Sequence, residues 1–173
     1  TIASGAYLYA FSGALFNSTT LNSGTYMWVS GGSINNHHIN YSGSTYVYSG
    51  ARASNTTINS GGYMYIASGA VHRGTMSLNS GATVSASSGA VINLDISSRT
   101  TSADFIISNM ARIFGAPTYT ITVSASQAYG SYRLAANAGS FSNTITVGTA
   151  ATNYATLSVN GSASSYNGKY YSL

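Results

Sequence analysis

A repeat of about nineteen residues constrains this chain more than any other feature of its sequence. Residues 57–69 read Thr-Ile-Asn-Ser-Gly-Gly-Tyr-Met-Tyr-Ile-Ala-Ser-Gly, and close copies of this unit occupy residues 20–31 and 77–89. A short repeat is typical of solenoids, in which each unit buries its apolar side chains against the next unit. The aliphatic residue that opens each unit recurs at nearly constant spacing, at Ile2, Leu21, Ile39, Ile58 and Leu78.

Within each unit, aliphatic residues alternate with aromatic ones. Met27 and Val29 alternate with Tyr26 and Trp28, so in a strand the two sets must point to opposite faces. Glycine punctuates every unit, with Ser, Thr, Val and Tyr in between, and this opposes helix formation. We therefore predict an all-β chain in which residues 1–98 form a parallel β-solenoid (β-helix) of about five 19-residue coils. Glycine is expected at the corners, where positive φ is needed.

One position of the repeat is occupied mainly by asparagine, and we call the residues at this position the asparagine column. In the predicted register, successive amides would lie about 4.8 Å apart and could pass hydrogen bonds from coil to coil. We expect this column to be structural. Its members follow one another at the same spacing throughout, at Asn17, Asn36, Asn55, Gly74 and Asn93.

The repeat ends near residue 98, but runs with strand character continue beyond it. We predict that residues 99–173 are a β-strand-rich C-terminal region that caps the open end of the solenoid or forms a small sandwich beside it. Turns are expected at residues 115–117 and 159–162. The predicted strands cover residues 105–107, 119–123, 131–134, 144–147, 156–159 and 169–173.

The composition argues against most enzyme classes. Only 5% of the residues are charged, Glu and Cys are absent, and Asp95 and Asp104 are the only acidic side chains. A two-carboxylate glycosidase or a calcium-dependent lyase needs more acidic groups than these. The six basic residues are scattered and do not form the cluster that a nucleic-acid backbone requires. We predict a non-enzymatic chain with no cofactor and no nucleic-acid partner.

The three histidines do not suggest a catalytic or metal site. His37, His38 and His72 fall in different phases of the repeat, with no recognisable nucleophile motif beside them. Two adjacent histidines without cysteine do not supply convergent metal ligands, so no metal is predicted. His37 and His38 should point to opposite sides of a strand. We expect all three to be exposed or half-buried structural residues.

Two stretches of the repeat resemble a known family. Residues 57–62, Thr-Ile-Asn-Ser-Gly-Gly, and residues 51–58, Ala-Arg-Ala-Ser-Asn-Thr-Thr-Ile, are similar to the Ser-Gly-Gly and Ala-x-x-x-Asn-Thr repeats of AIDA-type autotransporter adhesin passengers. The resemblance covers about residues 1–98. It departs from the family where corners have one glycine instead of two, and in its abundance of tyrosine.

The resemblance implies a bacterial β-helix at the cell surface or secreted, which mediates adhesion or self-association and can carry sugars on Ser and Thr. Because the chain begins at Thr1 in mid-pattern, we expect a fragment or a processed product. No apolar run approaches the ~18 residues of a membrane span, so direct membrane insertion by this fragment is not expected.

Aromatic residues beside the inward aliphatics are the predicted binding residues. A strip of this kind across four coils is a contiguous apolar patch, which usually marks a binding surface. Two alternatives are that the rings stack on one another and shield the sheet, and that the C-terminal strands cover them. One predicted column contains Tyr7, Tyr26, Tyr46 and Tyr63, and the other contains Tyr9, Trp28, Tyr48 and Tyr65.

Three functions are compatible with this strip. The first is an adhesive module that binds itself or another cell-surface protein or glycan. The second is a carbohydrate-binding module that reads glycans with the Tyr/Trp strip, since these rings combine an apolar face with a hydrogen-bonding edge. The third is a structural spacer or fibre subunit that stacks end to end.

Overall fold

The computed structural model describes residues 1–124, 126–128, 130–149, 158–161 and 169–172. Within these ranges the chain forms strands and one short 3₁₀ helix, Met110–Arg112. No helix among the described residues has the length and hydropathy needed to cross a bilayer. The strands in chain order are β1 (Tyr7–Ala10), β2 (Leu15–Asn17), β3 (Thr20–Leu21), β4 (Tyr26–Val29), β5 (Ser33–Ile39), β6 (Ser44–Val47), β7 (Arg52–Ile58), β8 (Tyr63–Ile66), β9 (Val71–Leu78), β10 (Thr83–Ala86), β11 (Val91–Asp95), β12 (Ile113–Gly115), β13 (Thr118–Thr122), β14 (Ser131–Ala135), β15 (Ile145–Thr149), β16 (Ser158–Gly161) and β17 (Lys169–Ser172).

Two parallel sheets form the walls of a β-solenoid, which confirms the predicted fold class. The first sheet has the order β1-β4-β6-β8-β10-β12, and the second sheet has the order β2-β5-β7-β9-β11-β13-β15, with β3 also pairing with β5. Strands β14, β17 and β16 form a separate antiparallel sheet. The coils of about 19 residues stack for about five turns.

The alternation seen in the sequence places the aliphatic residues inside. Met27 and Val29 on β4, and Met64 and Ile66 on β8, are fully buried, whereas the aromatic residues between them point outward. Burying each of these aliphatic side chains contributes about 1.5–3 kcal/mol. Because one coil cannot bury its own aliphatics, the stability of the solenoid is a sum over neighbouring coils.

The second sheet bends at a column of residues with positive φ. Asn36 and Asn55 have φ of 49° and 50°, and Gly74 in the next coil has φ of 78°. Asparagine and glycine are the residues that tolerate this left-handed conformation best. Three members of the predicted asparagine column therefore do share one structural role. In the first coil, Ser18 with φ of 56° takes this position.

The predicted column is wrong at both of its ends. Asn17 pairs with Asn35 rather than with Asn36, and the amide of Asn35 donates to Asn17 Oδ1 over 3.0 Å. Asn93 pairs with Arg73, which precedes the bend. The constant spacing of the column misled the prediction because the coils differ in length. The step from Ser18 to Asn36 is shorter than the predicted spacing, and the step from Arg73 to its partner Asn93 is longer.

A different asparagine column carries the amide ladder. Asn59 Nδ2 donates to Asn40 Oδ1, and Asn79 Nδ2 donates to Asn59 Oδ1, each over 2.7 Å. These residues open the corners that follow the second sheet. In the coil of Asn40, Ser42 with φ of 55° takes the left-handed position. The expectation of a positive-φ glycine at every corner is therefore wrong here, since Gly43 only follows the residue in this conformation.

The parallel pairing continues beyond residue 98. Strand β12 pairs with β10, and β13 pairs with β11. Val91 pairs with Thr118, and Tyr119 pairs with Ile145, so the partners lie farther apart in the sequence than one repeat unit. The end of the sequence repeat thus coincides with a lengthening of the coil. Strands β12, β13 and β15 extend the two walls, and the division into domains at residue 98 stays a prediction.

The strand predictions for the second half are confirmed in part. Strands β13, β14 and β15 correspond to the runs predicted at residues 119–123, 131–134 and 144–147, and β17 corresponds to the run at 169–173. The strand predicted at 105–107 is wrong, since Ile107 forms only isolated bridges. Residues 159–161 lie in β16 and not in the predicted turn. Residues 156, 157, 162 and 173 of the predicted elements lie outside the described residues.

Candidate functional site

The outward surface of the first sheet brings together seven of the eight predicted binding residues. Each pair of neighbouring strands is in register, so these side chains form two columns that cross β1, β4, β6 and β8. We call this surface the aromatic face. Its members are Tyr7, Tyr9, Tyr26, Trp28, Tyr46, Tyr63 and Tyr65.

The prediction placed the third coil two residues out of register. Ser44, and not Tyr46, pairs with Tyr26, and Tyr46 pairs with Trp28. Thr45, between Ser44 and Tyr46, points inward. Tyr48 lies beyond the end of β6, is 37% exposed and takes part in no ring stack among the described residues. Its predicted place in the second column is wrong.

The rings of the aromatic face contact one another. Tyr9 and Trp28 have ring centroids 4.8 Å apart, and Trp28 and Tyr46 have centroids 5.7 Å apart, with interplanar angles of 10° in both pairs. Tyr46 and Tyr65 are 6.3 Å apart and tilted by 55°. In the other column Tyr7 stacks on Tyr26 at 5.5 Å. Since the stacked ring faces contact each other, their edges and hydroxyl groups are the parts left for a partner, except for the Tyr65 hydroxyl, which lies 2.7 Å from Ser87 Oγ.

Exposure is highest on the first coil. Tyr7 and Tyr9 are 65% and 58% exposed, so none of the C-terminal strands that the structure describes covers them. The other five members of the aromatic face are half-buried. Phe11 is 68% exposed and stacks on Tyr9 at 6.5 Å. Sequence reasoning missed Phe11, although its place two residues after Tyr9 continues the alternation.

The two sheets differ in charge. No strand of the first sheet contains a charged residue, whereas the second sheet contains Arg52, Arg73 and Asp95. Burial and the neighbouring tyrosines raise the pKa of Tyr46, so its phenol is neutral at physiological pH. The aromatic face is therefore an uncharged surface of ring edges and hydroxyl groups.

Two of the three histidines are buried, contrary to prediction. His37 and His72 are fully buried in the second sheet, while His38 is exposed, so the opposite directions of His37 and His38 are confirmed. His37 Nε2 lies 2.7 Å from Thr45 Oγ1, and His72 Nε2 lies 3.2 Å from Thr56 Oγ1.

Burial determines the protonation state of both histidines. It lowers the pKa of His37 to about 4, against an opposing backbone hydrogen bond with Thr19. It lowers the pKa of His72 to about 3. Both side chains are therefore neutral at pH 7 and act as core residues.

The carboxylate of Asp95 is engaged in local structure. Its Oδ2 accepts a hydrogen bond from Arg73 Nε over 2.6 Å, and its Oδ1 accepts from the backbone N–H and hydroxyl of Ser97. Burial acts to raise the pKa of Asp95, but these hydrogen bonds outweigh burial and hold it below its ordinary value. In the described part of the chain, no three His, Cys, Asp or Glu side chains are grouped so as to hold a metal ion.

No family model, curated protein or solved structure matches this chain. The resemblance to adhesin passengers therefore depends on the repeat motifs alone. The parallel β-solenoid of about five turns is consistent with such a passenger at the level of the fold. Membership of the family stays a prediction.

Proposed function

We propose that this chain is a non-catalytic, adhesin-like surface module that binds a second copy of itself or another cell-surface protein through the aromatic face. One observation carries this proposal: seven aromatic rings in mutual contact form an uncharged strip across four consecutive coils. Contiguous apolar surface of this kind is uncommon on monomeric proteins. Tyrosine and tryptophan are also enriched at protein interfaces.

The ring geometry favours a protein partner over a sugar. A sugar packs its C–H groups against an open ring face, but Trp28 has Tyr9 on one side and Tyr46 on the other. The exposed edges and hydroxyl groups instead suit another uncharged, hydroxyl-rich surface. A second aromatic face of the same chain has this chemistry, which supports self-association.

The size of the strip limits the strength of one contact. Four strands spaced by ~4.8 Å, each four residues long, cover an area about 15 Å on a side. Stable interfaces bury ~800 Å² per partner, so we expect one aromatic face to bind weakly. Repeated modules at a surface would raise the overall affinity through effective concentration. We therefore propose an extracellular location, at the bacterial cell surface or secreted, where many copies meet.

Sedimentation velocity over a hundredfold range of concentration tests the proposal. Tyr46→Ser removes a ring from the middle of the stack, and Tyr48→Ser makes the same chemical change two residues away, outside the stack. We expect wild type and Tyr48→Ser to associate as the concentration rises. Tyr46→Ser should remain folded by circular dichroism and associate less.

A monomeric wild-type protein at the highest concentration would contradict self-association. In that case a glycan screen that follows the fluorescence of Trp28, the only tryptophan, tests the carbohydrate alternative. End-to-end association that is equal in wild type and both variants would instead favour the spacer or fibre subunit.

A further inference from the structure

The outward surface of the second sheet contains a shallow groove, which is separate from the aromatic face on the first sheet. A cavity of about 240 Å³ lies over β5, β7 and β9, and a second cavity of about 280 Å³ continues toward the end of β11. The two cavities share Ser54 and Arg73. Ser33 and Ser54 are small residues between longer side chains on neighbouring strands, which explains the depression.

Arg52 presents an unpaired positive charge to this groove. Its side chain is exposed on β7 and makes no hydrogen bond or ion pair with any residue that the structure describes. The chain carries only two acidic side chains in total, so few groups could neutralise Arg52. An arginine of this kind is free to pair with an anionic ligand.

Arg73 is held in place on the neighbouring strand, two residues beyond Val71, the partner of Arg52. Asp95 accepts a hydrogen bond from Arg73 Nε over 2.6 Å, while the Arg73 side chain stays 53% exposed. Because Asp95 accepts a hydrogen bond only from Nε of Arg73, the two terminal amino groups of Arg73 remain available to a ligand. Both oxygens of Asp95 are already occupied, by Arg73 and by Ser97.

A third guanidinium lines the far end of the groove. Arg99 borders the second cavity and donates to the backbone carbonyl of Asp104. Amides of Asn35 and Asn55 lie along the same path. The groove thus combines three guanidinium groups with one carboxylate, Asp95, and neutral hydrogen-bonding groups, so positive charge is in excess.

We propose that this groove binds an anionic saccharide chain, with Arg52 and Arg73 pairing to its acidic groups. Guanidinium groups bind carboxylates and sulfates through paired, charge-assisted hydrogen bonds. Asn35 already bonds to Asn17 and Ser54, so its second amide hydrogen and the Ser33 hydroxyl are the groups that can bind sugar hydroxyls. Leu15 and Val71, which also line the groove, offer apolar contact to sugar C–H groups. Successive coils repeat every ~4.8 Å, which suits a linear ligand with repeated charges. This site is independent of the proposed role of the aromatic face.

Isothermal titration calorimetry with a short oligogalacturonate, at low and moderate salt, tests the proposal. We expect Arg52→Ser to weaken binding about tenfold, since a charge-assisted pair is lost. Arg133→Ser on β14 removes one positive charge elsewhere, from an exposed residue whose guanidinium lies 5.8 Å from the centre of the Phe105 ring. With its fold checked by circular dichroism, this variant should keep an affinity within twofold of wild type. Arg52 is exposed, so the fold should persist, and circular dichroism checks this.

Two further ligands distinguish specific saccharide binding from non-specific electrostatic attraction. A neutral maltooligosaccharide of the same length should not bind, and single-stranded DNA of the same charge should bind at least tenfold more weakly than the oligogalacturonate. The proposal is overturned if no oligogalacturonate binding is detected, if both arginine variants weaken binding equally, or if DNA binds as well as the saccharide.

Discussion

Tyr9 and Trp28 lie directly opposite each other on β1 and β4, with ring centroids 4.8 Å apart and planes inclined by only 10°. This distance equals the usual spacing of neighbouring strands, about 4.7–4.9 Å. In this pair the ring spacing therefore matches the backbone ladder, whereas the rings of Trp28 and Tyr46 are 5.7 Å apart. The geometry connects the stability of the solenoid to the surface that we propose for adhesion.

Removing Trp28 should destabilise the solenoid. Its ring stacks on four others, Tyr7, Tyr9, Tyr26 and Tyr46, and aromatic pairs contribute about 0.5–1.5 kcal/mol each beyond burial. We expect Trp28→Ala to lower the free energy of unfolding by about 2–4 kcal/mol. Urea denaturation followed by circular dichroism measures the change. Tyr48→Ala is the control, with an expected effect within about 0.5 kcal/mol, and an equal loss in both variants would contradict the stack.

Adding a ring at Ser44 should complete the first aromatic column. Ser44 lies between Tyr26 and Tyr63 on adjacent strands, where it interrupts the stack. We expect Ser44→Tyr to raise the free energy of unfolding by about 0.5–1 kcal/mol through cross-strand ring contacts. The same urea experiment checks this. A destabilised Ser44→Tyr variant would show that the register of the third coil differs from the one described.

Acid should destabilise the protein over a pH range that is set by the pKa values of its two buried histidines. An unfolded histidine has a pKa of about 6.5, whereas the pKa values of His37 and His72 in the fold are about 4 and about 3. Below about pH 6.5 the unfolded chain binds more protons than the folded chain, so stability falls as the pH falls. Each histidine contributes a slope of up to about 1.4 kcal/mol per pH unit until its folded pKa is reached.

The variant His72→Leu separates this effect from other acid effects. His72 pairs with Ala53 and Ile92 in the core, so leucine has apolar neighbours there. The loss of the contact with Thr56 Oγ1 lowers stability by the same amount at every pH and does not change the slope. Asp95, with its lowered pKa, contributes stability that is lost only below about pH 4. We expect urea midpoints measured from pH 7 to pH 4 to decline less steeply in His72→Leu. Parallel declines in wild type and variant would contradict the assignment.

Two glycines with positive φ should differ in their tolerance of alanine. A Cβ at Gly115 would overlap the backbone carbonyl of Ala86, whereas a Cβ at Gly13 would meet nothing within 4 Å. We expect Gly13→Ala to cost about 1–2 kcal/mol for its left-handed backbone alone. Gly115→Ala should cost about 3 kcal/mol or more, because β12 must move away from β10. Thermal unfolding compares the two, and similar midpoints would argue against the pairing of these strands.

The fold is predictable from the sequence because the alternation and the glycine corners act locally. The register is less predictable, since the coils differ slightly in length. Counting from the corner asparagine would have given the correct register for the third coil. Tyr26 follows Asn22 at the same distance at which Ser44 follows Asn40. Aligning the tyrosines by type placed Tyr46 in the wrong column.

Other features depend on contacts between distant coils. The burial of His37 is set by its place beside Thr45 in the next strand, which no local pattern reveals. The continuation of both sheets past residue 98 was missed because the lengthened coil removes the regular spacing, although β12 and β13 still pair with β10 and β11. A search for one fixed period cannot detect such coils.

A pair of charge insertions tests the central claim most directly. Ser44, which lies between Tyr26 and Tyr63 of the aromatic face, and Ser77 on the second sheet are both half-buried. Ser44→Glu and Ser77→Glu therefore introduce the same charge on different sheets of the solenoid. Sedimentation velocity at matched concentrations should show that Ser77→Glu associates like wild type, while folded Ser44→Glu remains monomeric. Undiminished association of Ser44→Glu would contradict the claim that copies meet through the aromatic face.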